Sequence, residues 1–286
     1  MTSTEPAPSQ VAAEALRELC WGSTPETVSR GVRTALGPLL ELVIEHKLVC
    51  LLADHVAAAH LDSELSRPLA RFFAGTLRTN WYKTRIYRRE TTLIMDALGR
   101  HSIPVAAMNG VSVEKHLYGG RGGRQFSDLD LLVHPDDYSR TKSVLTDLGY
   151  QRQTASSAMT RTLDDLLVDI SIVDVVTRTA HADTPDHVRA VLDRRQMRSV
   201  PGHEQPLPVL AASDALAHCL ARLTHPGKRH VRWAVCADAL RLHHRGVVTD
   251  SVTREPAVHR GWDLLRGIWP QLPAAPCESD HRRERP

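Results

Sequence analysis

The 286-residue sequence predicts an α+β chain, a small mixed sheet flanked by N- and C-terminal helical regions. Three observations carry that prediction. Apolar residues recur at helical spacing over residues 10–101. Short apolar, strand-like runs separated by turn residues replace them over 102–180. Helical spacing then returns over 181–270. Residues 1–9 hold Pro6 and Pro8 and no apolar period, so they are expected to be disordered, and residues 271–286 to form a flexible tail.

In the first region, Val11, Ala15, Leu16 and Leu19 share one side of a helix, and residues 32–59 read as two more. A long helix is expected from about 68 to 99. Leu93, Ile94, Ala97 and Leu98 lie on its core face, and Lys83, Arg85, Arg88, Arg89 and Glu90 on a solvated face. Residues 103–108 then read as a short buried strand. Asn109-Gly110 turns the chain into a brief helix over 111–118. Residues 119–124 (Gly-Gly-Arg-Gly-Gly-Arg) read as a flexible loop. One arginine–glycine box without repeats or stacking aromatics is poor evidence for RNA binding.

Leu129–Val133 is the second expected strand. His134-Pro135-Asp136-Asp137 opens a helix, with proline at its first position and acids at the positive end of its dipole, and Leu148-Gly149 stops it. Residues 166–172 are the third expected strand, with Val168, Ile170 and Ile172 on one face and Asp169 on the other. Beyond 181, Leu216, Cys219, Leu220 and Leu223 mark one helix, and residues 231 to about 244 mark another. Asp238 falls in the apolar row of that last helix, so it needs a partner. His218, Arg222 and Arg232 are the candidates.

Composition narrows the function classes. Apolar content of 42% and charged content of 24% suit a soluble globular chain, and a net charge of +3 is too small for an electrostatic nucleic-acid footprint. No apolar run reaches the roughly 20 residues that span a bilayer. Five dispersed cysteines without a Cys-x-x-Cys pair, and no signal peptide, lead us to expect reduced thiols in the cytoplasm. Sixteen histidines form no His-Glu-x-x-His pattern. A Gly-x-Ser-x-Gly elbow, a Walker glycine loop and a dinucleotide fingerprint are all missing from the sequence.

The chemistry concentrates in Ser127-Asp128-Leu129-Asp130-Leu131-Leu132-Val133. Strand alternation puts Leu129, Leu131 and Val133 on one face and both carboxylates on the other. Two like charges so placed repel unless water, a cation or a base separates them. Such a pair suits Mg²⁺, a hard ion that takes carboxylate and phosphate oxygens. If three strands are adjacent, Asp128, Asp130 and Asp169 meet at one sheet edge beside the helix N-terminus at Asn109-Gly110, whose free N–H groups suit phosphate.

Residues Ile103-Pro104-Val105, Asn109-Gly110, Leu117-Tyr118, Arg124, 127–133 and Leu148-Gly149-Tyr150 together resemble the bacterial nucleotidyltransferase-like family of the DNA polymerase beta superfamily. His218, Trp233 and Asp238 repeat an order found in that family's C-terminal helices. The resemblance spans roughly 70–245 and is densest over 103–150. It implies that 102–180 is the nucleotidyltransferase core, that Asp128, Asp130 and Asp169 bind metal, that Gly110 lets the backbone approach a triphosphate, and that Arg124 pairs with phosphate oxygens.

The chain departs from the family at one position. Asn109 stands where a lysine usually precedes the glycine, followed by Val111 and then Ser112. Losing that point charge leaves Lys115 or Arg121 to replace it. The expected function is Mg²⁺-dependent transfer of NMP from an NTP to a small-molecule or peptide acceptor, with pyrophosphate release. Asn109, Gly110, Ser112 and Arg124 would hold the nucleotide. The alternative is a catalytically inert nucleotidyltransferase-like binding or partner module.

Overall fold

Residues 6–22, 24–153, 157–199, 206–224, 233–247 and 255–274 are described by a computed structural model, the side chain of Lys115 excepted. Four helices open the chain: α1 (Pro8–Trp21), α2 (Pro25–Thr34), α3 (Leu36–Glu45) and α4 (Val49–Ala58). The long α5 (Arg67–Arg100) follows. Then come β1 (Val105–Met108), α6 (Asn109–Tyr118), β2 (Leu129–Val133), α7 (Tyr138–Asp147), β3 (Gln151–Arg152), β4 (Met159–Thr162) and β5 (Ile170–Val176). The chain continues through α8 (Pro185–Asp193), β6 (Gln196–Arg198), β7 (Leu207–Val209), α9 (Ala212–Leu223), α10 (Trp233–His244) and α11 (Pro256–Ile268).

The α+β class is as expected, but the sheet is larger. Seven strands run in the order β3-β4-β5-β2-β1-β7-β6. β2 lies parallel to β5 and antiparallel to β1, so the sheet is mixed. β6 and β7 come from the region expected to be helical, and β7 pairs with β1 in parallel. Each has only three residues, and Pro208 interrupts β7, so neither shows a readable period.

The two flanking helical regions share one core. Val11, Leu16 and Leu19 of α1 share one apolar core with Leu216 and Leu220 of α9, Val235 and Leu240 of α10, and Leu265 of α11. The helix α5 joins this bundle to the sheet. At 34 residues it is about 51 Å long, enough to span both. Phe73, near its start, lies in the bundle core, whereas Ile94 and Leu98, near its end, pack under the sheet with Leu129, Leu131 and Val133. The other sheet face buries Ala106, Met108 and Leu132 against Val188, Val191 and Leu192 of α8.

Two expectations for α5 change. Leu93 is 36% exposed, and Arg88 and Glu90 are buried rather than solvated. Arg88 pairs with Glu114 of α6, and Glu90 pairs with Arg161 of β4 at 2.7 Å while accepting a hydrogen bond from Tyr150 at 2.9 Å. Sequence period cannot separate a solvated charge from a buried one whose partner is remote in the chain. The loop at 119–124, expected to be flexible, is tied to its neighbours at several points. Asn80 donates to the carbonyls of Gly122 and Arg124, Glu114 accepts from the Gly122 amide at 2.8 Å, and Arg121 forms a bidentate pair with Asp54. Gly122 has φ +87°, and a Cβ there would lie 2.7 Å from the Trp81 backbone nitrogen, so only glycine fits.

At the C-terminus, Leu272 is buried and Trp262 donates to the Pro273 carbonyl at 3.2 Å. The rest of the expected tail, residues 275–286, lies outside the described residues, as do 1–5 of the expected N-terminal disorder and Arg232. No helix among the described residues is long and apolar enough to cross a membrane.

Candidate functional site

The carboxylates meet where β2 and β5 run side by side. In that parallel register Leu129 faces Val173 and Asp130 faces Asp174. Facing residues on neighbouring strands project from the same side of the sheet, about 4.8 Å apart. Asp128 shares the parity of Asp130 and joins them. Asp128, Asp130 and Asp174 each offer an oxygen within 4.8 Å of the others.

The third carboxylate of this cluster is Asp174, whereas the sequence pointed to Asp169. Asp169 precedes β5 by one residue and is exposed. It stands five positions from Asp174, about 16 Å of extended chain, and on the opposite parity. The physical reason is a slip of register. Ser171, Val173 and Val175 form the buried face of β5, whereas Ile170 is 47% exposed. Apolar residues of both parities run through 168–176, because both faces of a central strand pack against something.

Burial raises the Asp130 carboxyl to about 6, with the charges of Asp128 and Asp174 adding to the rise and Asn109 and Arg222 opposing it. Asp174 is raised by burial and by Asp128. Three hard oxygen donors that disfavour one another's charge, two of them partly desolvated, fit a divalent cation such as Mg²⁺.

Asn109 follows β1 and opens α6 in the left-handed region, with φ +51°. Asparagine tolerates that conformation better than most residues. Its side-chain amide donates to Asp130, and its side-chain oxygen accepts from Nη1 of Arg222 at 2.6 Å. Arg222 comes from α9, 113 residues away. A cation therefore does stand behind residue 109, but it is neither of those expected. Arg121 is held by Asp54, and the Lys115 side chain lies outside the described residues.

The remaining predicted nucleotide contacts are engaged within the protein. Ser112 Oγ donates to the Asn109 carbonyl at 2.8 Å. A Cβ on Gly110 would overlap Phe126, so this glycine admits an aromatic ring, and that accounts for it without a triphosphate. Arg124 is half-buried, and its guanidinium is engaged inside the protein. Its guanidinium grips both oxygens of Asp238 at 2.9–3.1 Å, and Tyr118 donates to the same carboxylate at 2.6 Å. Asp238 thus finds Arg124 and Tyr118 as partners, while Arg222 turns to Asn109 and Arg232 lies outside the described residues. His218 accepts from the Ala180 amide at 3.1 Å.

Two anchors have no signal in the sequence. Tyr87 of α5 donates to the Ser127 carbonyl at 2.9 Å and so fixes the backbone just before Asp128. Burial and the charges of Asp128 and Asp169 raise its phenol. Asn80, two turns earlier on α5, holds the preceding loop. Both sit in a charged, amphipathic helix where nothing local distinguishes them.

No curated protein matches the chain. Among solved structures, it resembles an antigenic nucleotidyltransferase-like protein from Paracoccidioides brasiliensis, at 16% identity and TM-score 0.49, over 64% of this chain and 87% of that one. It also resembles the antibiotic-resistance factor ANT(2'')-Ia, at 14% identity and TM-score 0.37, over 69% of this chain and 99% of that one. Residues 35–245, most of the chain, match the family described as uncharacterised nucleotidyltransferase, and the protein belongs to that family.

Proposed function

We propose that the protein is a divalent-cation-dependent nucleotidyltransferase that moves NMP from an NTP to a small-molecule or peptide acceptor. One observation carries this reading: three carboxylates from two adjacent strands bring their oxygens within 4.8 Å of one another. Asp128, Asp130 and Asp174 would hold the cation. Once bound, it would neutralise phosphate charge and make an acceptor hydroxyl easier to deprotonate.

The chain's own residues divide the remaining work. Tyr87 and Asn80 fix the segment before Asp128 against α5, so the carboxylates are set before any ligand arrives. Asn109 orients one Asp130 oxygen and leaves the other for a ligand. Arg222 adds positive charge at the β1–α6 corner, the natural place for the donor's phosphates. Pyrophosphate release, measured across the four NTPs with pooled acceptors, tests this reading. Activity that disappears in Asp128→Asn/Asp130→Asn supports it. Release equal to that of the double variant for every NTP contradicts it.

A second reading, an inert binding module, rests on Asn109. Where relatives usually carry a lysine, this side chain bridges Asp130 and Arg222, so these site groups satisfy one another. This reading expects folded protein with no Mg²⁺–NTP binding.

A further inference from the structure

A second charged cluster lies two helical turns from Asn109 along α6, on the same side of the helix, about 10 Å away. Here the charges are positive. The half-buried His116 ring is met by Arg198 of the edge strand β6, with Nη1 at 2.9 Å from Nε2 and 3.2 Å from Nδ1. Arg245, just beyond α10, brings its own Nη1 to 3.5 Å from the same Nε2. Among the described residues, the one side-chain acceptor on these groups besides the ring is the Gln196 amide, 2.7 Å from Arg198 Nη2. Among the described residues no carboxylate pairs with His116, Arg198 or Arg245.

Three other arginines that pack into the structure, Arg88, Arg124 and Arg161, each have a carboxylate: Glu114, Asp238 and Glu90. Two guanidiniums gathered at one imidazole repel each other, and burial and both arginine charges push His116 toward its neutral form. Guanidinium forks match the planar or tetrahedral oxygens of an oxyanion. An oxyanion between the arginines would reverse the repulsion and favour protonated His116.

We infer that His116, Arg198 and Arg245 form a phosphate-type oxyanion subsite, distinct from the carboxylate triad and contributed by α6, β6 and the end of α10. Its ligand is either the phosphate tail of the nucleotide donor or a phosphate on a second substrate. The choice between these rests on the transferase reading; the subsite itself does not.

The test follows the His116 imidazole resonances of the full-length protein by NMR, while inorganic phosphate is added without metal at constant chloride. We expect saturable shifts at His116. In Arg198→Gln/Arg245→Gln the affinity should fall about tenfold or more, the scale of lost charge-assisted hydrogen bonds. The single exposed variant Arg245→Gln, checked for an unchanged unfolding midpoint, should show a smaller loss in the same direction. Unmoved His116 signals, or equal affinity in the double variant, overturn the inference.

Titrating Mg²⁺–NTP separates the two ligands. Weaker NTP binding in the double variant identifies the donor's tail, and unchanged NTP binding with lost phosphate binding identifies a second substrate. Phosphate shifts that persist in Asp128→Asn/Asp130→Asn keep the subsite standing even if no NTP binds.

Discussion

The protein holds two kinds of charge cluster, and they behave oppositely. In the Arg124–Asp238–Tyr118 group, unlike charges close on each other and every carboxylate oxygen has a donor. In the Asp128–Asp130–Asp174 group, three like charges meet, and among the described residues the one side chain that donates to them is Asn109. The first arrangement is complete without a ligand and ties α6, the following loop and α10 together. The second is under tension without one. Family resemblance favoured a ligand role for residues in both groups, and only local charge balance separates them.

Removing a triad carboxylate should have the largest effect on activity. Asp128→Asn or Asp174→Asn should lower NMP transfer about a hundredfold or more, as loss of one electrostatic element at the reacting charge does. Thermal unfolding of the cation-free protein should hold steady or improve, because a repulsion is relieved. Asp238→Ala should do the reverse and act first on folding. It leaves the half-buried Arg124 without its carboxylate and should destabilise the protein by about 3 kcal/mol in urea unfolding. A triad variant that unfolds as readily as Asp238→Ala breaks the comparison.

Gly110→Ala should cost about 1–3 kcal/mol, because Phe126 must move to admit a methyl group. The effect should appear in stability before nucleotide affinity. Smaller still is a pH effect. Asp130 is raised to about 6, so the folded state holds its proton more tightly than the unfolded chain does. Its contribution to stability is full below about pH 4 and is lost as pH rises through about 6. The melting temperature of metal-free protein should carry a downward slope over that window from this group, and Mg²⁺ should flatten it. Asp169→Asn, outside the triad, should change neither activity nor that slope.

The sequence made the class of the fold and half of the site legible for definite reasons. Asp128 and Asp130 were readable because Leu129, Leu131 and Val133 alternate cleanly with them and are all buried. The long α5 was readable within about one residue at each end because its period runs for 34 residues. Asp174 was hidden because Ile170 and Ile172 on one face of β5, and Val173 and Val175 on the other, support both registers equally. Arg124 and Asp238 are 114 residues apart, and Asn109 and Arg222 are 113 apart. No local pattern encodes such pairings, so the sequence leaves the partners of Asp238 and Asn109 open.

Isothermal titration of Mg²⁺–NTP into the wild type, Asp174→Asn and Asp169→Asn reaches the central claim most directly. Equal affinity for wild type and Asp169→Asn, with binding lost in Asp174→Asn, is the predicted result. Retained binding in Asp174→Asn together with loss in Asp169→Asn would contradict it.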